Sequence, residues 1–471
     1  MADKTKGQQL REDLFYKKKT AFELKNSEQL AEVMEYAKEY MHFLDVAKTE
    51  REAVIYAIEK LEAAGFKAYK LGDKLEAGDK IYYNNRGKSL FAIRVGTEDI
   101  EENGIRIIAA HVDSPRLDLK QHPLYESEHF GYLKTHYYGG VRKYQWVTIP
   151  LALHGVVTKK NGETVEIRIG DQPGDPVLCI TDLLPHLAKD QNGRPLGSAF
   201  EGEGMNAIIA SSPYLEEDGT ITPADEKIKL NVLAALNEKY GIVEADFMSA
   251  ELTIVPAGNA QDVGLDRWLI GAYGHDDRVC AYTELTALID NKDTEHTVMM
   301  VLADKEETGS NGVSGMQAHI FMDLIDELAC ELGANPSVIR ANSKCLSADV
   351  TACYDPLYAG VSEKRNTALI HCGVGMAKYT GGGGKGGTSD ASAEFVGEIR
   401  NLLDENGVIW QTSELGKVDQ GGGGTVAMYI ANMNIDTVDL GVPVLSMHAP
   451  FEIISKHDLY EAYRAFAVFC K

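Results

Sequence analysis

At 471 residues the chain is long enough for two or three domains of about 150 residues each. Its 44% hydrophobic and 25% charged residues are the balance expected of a soluble globular protein. The 71 acidic residues outnumber the 47 basic ones, giving a formal charge of −24; such an excess repels phosphate backbones and anionic lipid heads and argues against nucleic-acid and membrane-surface partners.

The opening MADKTKGQQLREDLF carries no apolar core and no small-residue cleavage site, so no secretory signal is expected. Residues 20–65 read as helical. Ser27 is placed to cap EQLAEVMEYAKEYMHFL, and Thr49 with Glu52 forms a capping box before Val54, Ile55, Ile58 and Leu61. Gly65 is a C-cap candidate. Short strands follow in KAYKL, KIYYNN, SLFAIRV and GIRIIAAH, the last running into His111.

From about Ser114 to Val263 the pattern changes to β-like runs separated by turn signals such as KNGE and DQPGD. DLLPHLAKD and IKLNVLAALNEKYG within this block read as helical. Because the block separates two groups of chemically suggestive residues, it reads as an insertion, with boundaries at 1–113, 114–263 and 264–471. Beyond Leu265, strands TVMMVLAD, ALIHCG and VPVLSMH alternate with helices DRVCAYTELTALIDN, GVSGMQAHIFMDLIDELA and SKHDLYEAYRAFAVF, which predicts an α/β layered sheet. No apolar run approaches the ~20 residues of a membrane span. Seven cysteines without a CxxC pair suggest reduced thiols and a cytoplasmic location.

Several predicted strand ends carry a potential ligand. His111 ends one strand, with Asp113 two residues on, placed to fix its imidazole. Asp276 lies in GHDDR just ahead of a helix, Glu306 and Glu307 follow TVMMVLAD, Asp349 follows KCLSA, and His448 ends VPVLSM. Singly, each is as well explained by a cap or an acidic turn. As a set, two imidazoles (His111, His448) and three carboxylates (Asp276, Glu307, Asp349) suit zinc, with cobalt or manganese as substitutes. Five such ligands with one bridging carboxylate can hold two metals, and Glu306 is left as the general base. The stretches TGGGGKGGTS and DQGGGGTV match neither a dinucleotide fingerprint nor a P-loop: Gly386 stands where the P-loop needs Ser or Thr. They read as flexible backbone near a pocket.

In that order and spacing, HVDSP, GHDDR, DKEETGS, ADVTACYDP and MHAPFE resemble the aspartyl aminopeptidase and vacuolar aminopeptidase I family of metallopeptidases. The resemblance implies an α/β phosphorylase/hydrolase-like catalytic domain, a central mixed sheet with helices on both faces, carrying an inserted β-rich dimerisation domain. It implies two Zn²⁺, with His111 and Asp349 on one, Glu307 and His448 on the other, Asp276 between them, Glu306 as base and Asp113 orienting His111. By the same resemblance, His186 of the PHL run reaches the partner's active site, and the subunits form a dodecamer built from dimers. Substrates would be peptides with a free N-terminus. Lys378 or Lys385 would form a pocket for an acidic side chain, although the surrounding glycines leave acidic and neutral preferences both open. The rival reading is a catalytically silent homologue acting as scaffold or cargo.

Overall fold

The computed structural model describes residues 4–292 and 295–471. Four parallel strands, in spatial order Thr297–Ala303, Ile105–His111, Lys344–Ser347 and Asp436–Gly441, form the middle of a nine-stranded sheet. Ser89–Arg94 joins one side and Val374–Ala377 the other, both antiparallel to their neighbours, so the sheet is mixed. Alternate side chains of these apolar strands enter two separate cores. Ile108 and Ala110 face one with Val298, Met300 and Leu302; Ile107 and Ala109 face the other with Met299 and Val301. A sheet buried on both faces needs a helical layer on each. Ser27–Val46, Glu50–Ala63, His275–Asp290, Ala393–Glu405 and Lys456–Phe469 supply the first, and Ile320–Leu332, Pro336–Asn342 and Ala427–Ala431 the second.

The Thr49–Glu52 capping box forms as expected, with reciprocal bonds of 3.3 and 3.0 Å. The preceding helix begins one residue earlier than its sequence suggests. Asn26, not Ser27, is the cap, its side-chain oxygen accepting from the Gln29 N–H at 2.9 Å.

Every strand of a second sheet lies between residues 116 and 256. Its order is Thr164–Ile169, Leu151–Thr158, Ala250–Pro256, Arg116–Ser127, Phe130–Tyr138 and Ala207–Ala210, antiparallel throughout. It has its own core around Trp146, Leu153 and Ile254, covered in part by the helix Lys227–Tyr240. The helix expected over 182–190 does not form; only a turn at Lys189–Asn192 is helical. Pro185 has no N–H to give and steers Leu184 away from helical backbone.

A smaller five-stranded sheet runs Gln261–Val263, Leu269–Ala272, Glu452–Ser455, Pro443–Leu445 and Thr351–Ala352, and the turn between its Pro443–Leu445 and Glu452–Ser455 strands holds His448.

ALIHCG is not a strand. The N–H groups of His371 and Gly373 donate to the buried carboxylate of Asp458, and Gln411 binds both the N–H and the carbonyl of Leu369, so side chains have taken the bonds a ladder would use. The strand follows directly as Val374–Ala377. GVSGMQAH is likewise irregular, the helix starting at Ile320, and VPVLSMH is strand only over Pro443–Leu445.

From Ile105–His111 the chain eventually reaches Thr297–Ala303 on one side, then Lys344–Ser347 on the other. At such a reversal the two connections part and leave a crevice at the carboxyl ends of the strands. His111 stands at one of those ends, and Glu306, Glu307 and Asp349 follow two others.

Candidate metal centre

His111 is the last residue of its strand. Its Nδ1 lies 3.0 Å from the Asp113 carbonyl oxygen and 3.3 Å from Asp113 Oδ1. Nε2 is thereby turned to Asp276 Oδ1 at 3.2 Å and Asp349 Oδ1 at 4.0 Å. His448 repeats the arrangement. Nδ1 meets the Gly140 carbonyl oxygen at 3.1 Å, and Nε2 faces Asp276 Oδ2 at 3.1 Å and Glu307 Oε1 at 3.4 Å. The two oxygens of Asp276 thus look at two different imidazoles. His111, Asp276 and Asp349 form one group of potential donors and Asp276, Glu307 and His448 a second, the donor atoms of each lying within 4.8 Å of one another.

The residues fit a cation better than they fit each other. Asp276 Oδ1 and Glu307 Oε1 are buried without a hydrogen-bond donor, a costly state for a carboxylate. Burial, then the neighbouring Asp276 charge, pushes Glu307 well above the ordinary carboxylate range. Burial also dominates at Asp349, which is raised despite the His111 imidazole. Burial opposes charge on His448, yet Asp276 and Glu307 raise it to about 10. A divalent ion held among these donors would supply the positive charge that such a crowd of buried carboxylates requires. Zinc suits two imidazoles and three carboxylates.

Asp113 is the fixed point beneath this cluster. It is fully buried and accepts the Tyr138 hydroxyl at 2.7 Å and the N–H groups of Glu306 and Glu307 at 3.1 and 3.2 Å. That holds the turn carrying both glutamates against the His111 strand. Glu306 belongs to neither donor group. Burial raises its carboxyl to about 7, with His111 opposing and Asp276 and Asp113 reinforcing.

Asp276 and Asp277, at the irregular start of their helix, are joined by a cis peptide bond. Glu452, not singled out from the sequence although it closes MHAPFE, accepts the N–H of Asp276 at 3.1 Å and of His448 at 2.6 Å. One carboxylate therefore fixes the backbones of two candidate donors; its signal was an acid four residues beyond His448. Gly441 matters for a different reason. A Cβ there would lie 1.6 Å from the Asp349 carbonyl oxygen, so only glycine lets the neighbouring strand approach the Asp349 turn.

The centre opens into a cavity of about 400 Å³. Gly422, Gly423 and Gly424 of the second Gly-rich stretch form part of its wall, with Thr380 at the head of the first, and Gly422 packs backbone to backbone on Gly382. Lys378 and Lys385 do not reach this cavity. Both pair with Asp390, Lys385 at 2.8 Å, and Lys385 lines an adjoining cavity of about 130 Å³ that shares Thr380, Leu415 and Gly422 with the first. His186 lies exposed in the 181–188 loop and does not join the cluster within one subunit.

Residues 43–470 match the family described as aminopeptidase I zinc metalloprotease (M18). The chain belongs to the M18 aminopeptidase family. A probable M18 family aminopeptidase 1 of Clostridium acetobutylicum is 44% identical over 465 residues, 97% of this chain and 99% of that protein. The crystal structure of an M18 aminopeptidase from Thermotoga maritima superposes with a TM-score of 0.91 at 42% identity, covering 97% of this chain and 100% of that one. A structure of the Saccharomyces cerevisiae mApe1 dodecamer shares the fold, with a TM-score of 0.75 at 21% identity over 92% of this chain and 95% of that one. As an M18 member the chain is a zinc-dependent aminopeptidase. Among the described residues no helix is long and apolar enough to cross a membrane.

Proposed function

We propose that this M18 aminopeptidase releases single N-terminal residues from peptides at a two-zinc centre, and that Asp276 bridges the ions. His111 and Asp349 would hold one ion, Glu307 and His448 the other. The observation that carries this reading is the pair of donor groups sharing Asp276, one carboxylate oxygen toward each histidine. Zinc bound there supplies Lewis-acid polarisation of the scissile carbonyl and a lowered pKa for water.

The protein's own residues do the rest. Glu306 takes a proton from the attacking water and returns it to the departing amine, a role open to it because it stands beside both donor groups and belongs to neither. Asp113 keeps His111 oriented and the Glu306 turn in place. The surrounding carboxylates favour the free α-ammonium of a peptide N-terminus.

Residues 1–113 and 264–471 form the catalytic unit, of phosphorylase/hydrolase-like type, and residues 114–263 an inserted dimerisation unit, a division supported by the second sheet's separate core. Leu183, Leu184 and Leu187, each at least half exposed, suit a loop that seats on a second subunit and brings His186 to that subunit's oxyanion. The fold shared with the S. cerevisiae dodecamer supports a dimer-built dodecamer. Seven free cysteines support a cytoplasmic location.

Hydrolysis of aminoacyl-p-nitroanilides, abolished by a chelator and restored by zinc, with no action on N-acetylated counterparts, is the expected result. Zinc uptake without turnover on a broad panel would instead favour the silent scaffold.

A further inference from the structure

Three consecutive residues at one strand end of the second sheet stand against the metal centre, each on a different member of it. Tyr138 closes the strand Phe130–Tyr138 and is half-buried. Its hydroxyl donates to Asp113 Oδ2 at 2.7 Å, the length expected of a hydroxyl on an ionised carboxylate. Gly139 follows with φ +72°, and a Cβ there would lie 3.1 Å from Glu307 Oε2. The Gly140 carbonyl oxygen accepts from His448 Nδ1 at 3.1 Å, and a Cβ on Gly140 would lie 3.0 Å from that nitrogen. The paired glycines let backbone pass close to two of the candidate zinc ligands.

The Tyr138 ring is itself held. Arg116 is its partner across the strands and lays its guanidinium on the ring, 4.2 Å from the centroid. The same guanidinium bonds Glu50, at the start of the helix Glu50–Ala63, and Asp118, both at 2.8 Å. The hydroxyl therefore reaches Asp113 from a fixed ring. Without it, Asp113 Oδ2 keeps the Glu307 N–H as its remaining donor, and the carboxylate is free to turn, taking the Glu306–Glu307 turn with it. We infer that Tyr138 and Gly140 are positioning residues for the reaction: Tyr138 acts through Asp113 on that turn and on His111, and Gly140 acts on the His448 imidazole. The second sheet is then part of the support of the metal centre. The inference rests on the two-zinc reading above. Groups that orient a metal-ligating side chain are worth about ten- to a hundredfold in metal affinity, and a base displaced by about 1 Å loses rate on a similar scale.

Tyr138→Phe keeps the ring on Arg116 and removes the hydroxyl alone. In the zinc-loaded variant, kcat for leucyl-p-nitroanilide is expected to fall about tenfold or more with KM within about twofold of wild type. Zinc affinity, measured against a chelating indicator, should fall about tenfold. In an Asp113→Asn background the same change should cost less than about twofold, because both act through one contact. Tyr137→Phe, at a position 44% exposed on the same strand, should match wild type in both readings. Gly140→Ala, at an exposed position, should weaken binding of one of the two zinc ions about tenfold and leave Tm unchanged. Wild-type kcat and zinc affinity in either Tyr138→Phe or Gly140→Ala would overturn the inference, whether or not Tm falls. Equal losses from Tyr138→Phe with and without Asp113→Asn would overturn the route through Asp113. If Tyr138→Phe does not fold, Gly140→Ala decides. A wild type that binds fewer than two ions, or hydrolyses nothing, would fail the two-zinc reading and this inference with it; a fully active two-zinc wild type with unaffected variants fails this inference alone.

Discussion

Glu306 and Glu307 are neighbours in sequence but stand in different surroundings. Glu307 points an unpartnered oxygen at His448 and Asp276, whereas Glu306 lies outside both donor groups. Glu306→Gln keeps size and polarity but cannot carry the proton. It is expected to retain zinc, measured by atomic emission, while kcat falls at least about a hundredfold. Wild-type-like turnover would remove Glu306 from its role. Asp276→Ala should behave differently, losing most of both ions because the two donor groups share this one side chain, whereas Asp349→Ala should spare the second group. Equal zinc content in the two variants would argue against a bridge. The candidate donors now gathered in two groups were singled out in the sequence because His111, Glu307, Asp349 and His448 follow or end apolar runs and Asp276 precedes a helix. Glu452 and Tyr138 were not. Their partners lie 176 and 25 residues away along the chain, and spacing carries no trace of such contacts.

At the scale of elements, a buried charge network ties the second sheet to the N-terminal helices. His154, on the Leu151–Thr158 strand, is fully buried between Glu52 at 2.8 Å and Asp171 at 2.7 Å, and Lys48 meets Asp171 at 2.9 Å. Burial opposes a charged His154, but the Asp171 and Glu52 carboxylates that accept from it prevail and raise it above the ordinary histidine value. A raised native pKa stabilises the fold fully below the unfolded value of about 6.5 and loses that contribution as pH climbs through the native value. The stability gap between wild type and His154→Gln, read as Tm by calorimetry, is therefore expected to be wider at pH 6 than at pH 9. Breaking such a buried arrangement costs about 3–5 kcal/mol. A gap that is constant or widens with pH would contradict the charged form. The same scale shows where sequence patterns misled. ALIHCG is as apolar as a strand, but periodicity cannot distinguish a short apolar run from a buried turn, and here Asp458 and Gln411 hold the turn. The central strand Asp436–Gly441 was overlooked because the apolar signal is stronger in VPVLS just after it.

For the whole molecule, the layered α/β sheet and the β-rich block followed from the change in pattern at Ser114 and again near Val263. The position of His186 did not. An exposed histidine on an irregular loop has a role only if a second subunit receives it. Native mass spectrometry is expected to show an assembly built from dimers. His186→Ala should keep zinc and assembly while kcat falls about tenfold or more, as for loss of one oxyanion donor. A fully active monomer would contradict both statements.

The most direct test of the account is a zinc titration of the chelated protein, following leucyl-p-nitroanilide hydrolysis and bound metal together in wild type and in Asp276→Ala. The metal-free protein is expected to be inactive, recovery to be complete only when two zinc ions per chain are bound, and the variant to show neither uptake nor recovery. Full activity with one ion, or a variant that binds two and turns over normally, would contradict the Asp276-bridged centre.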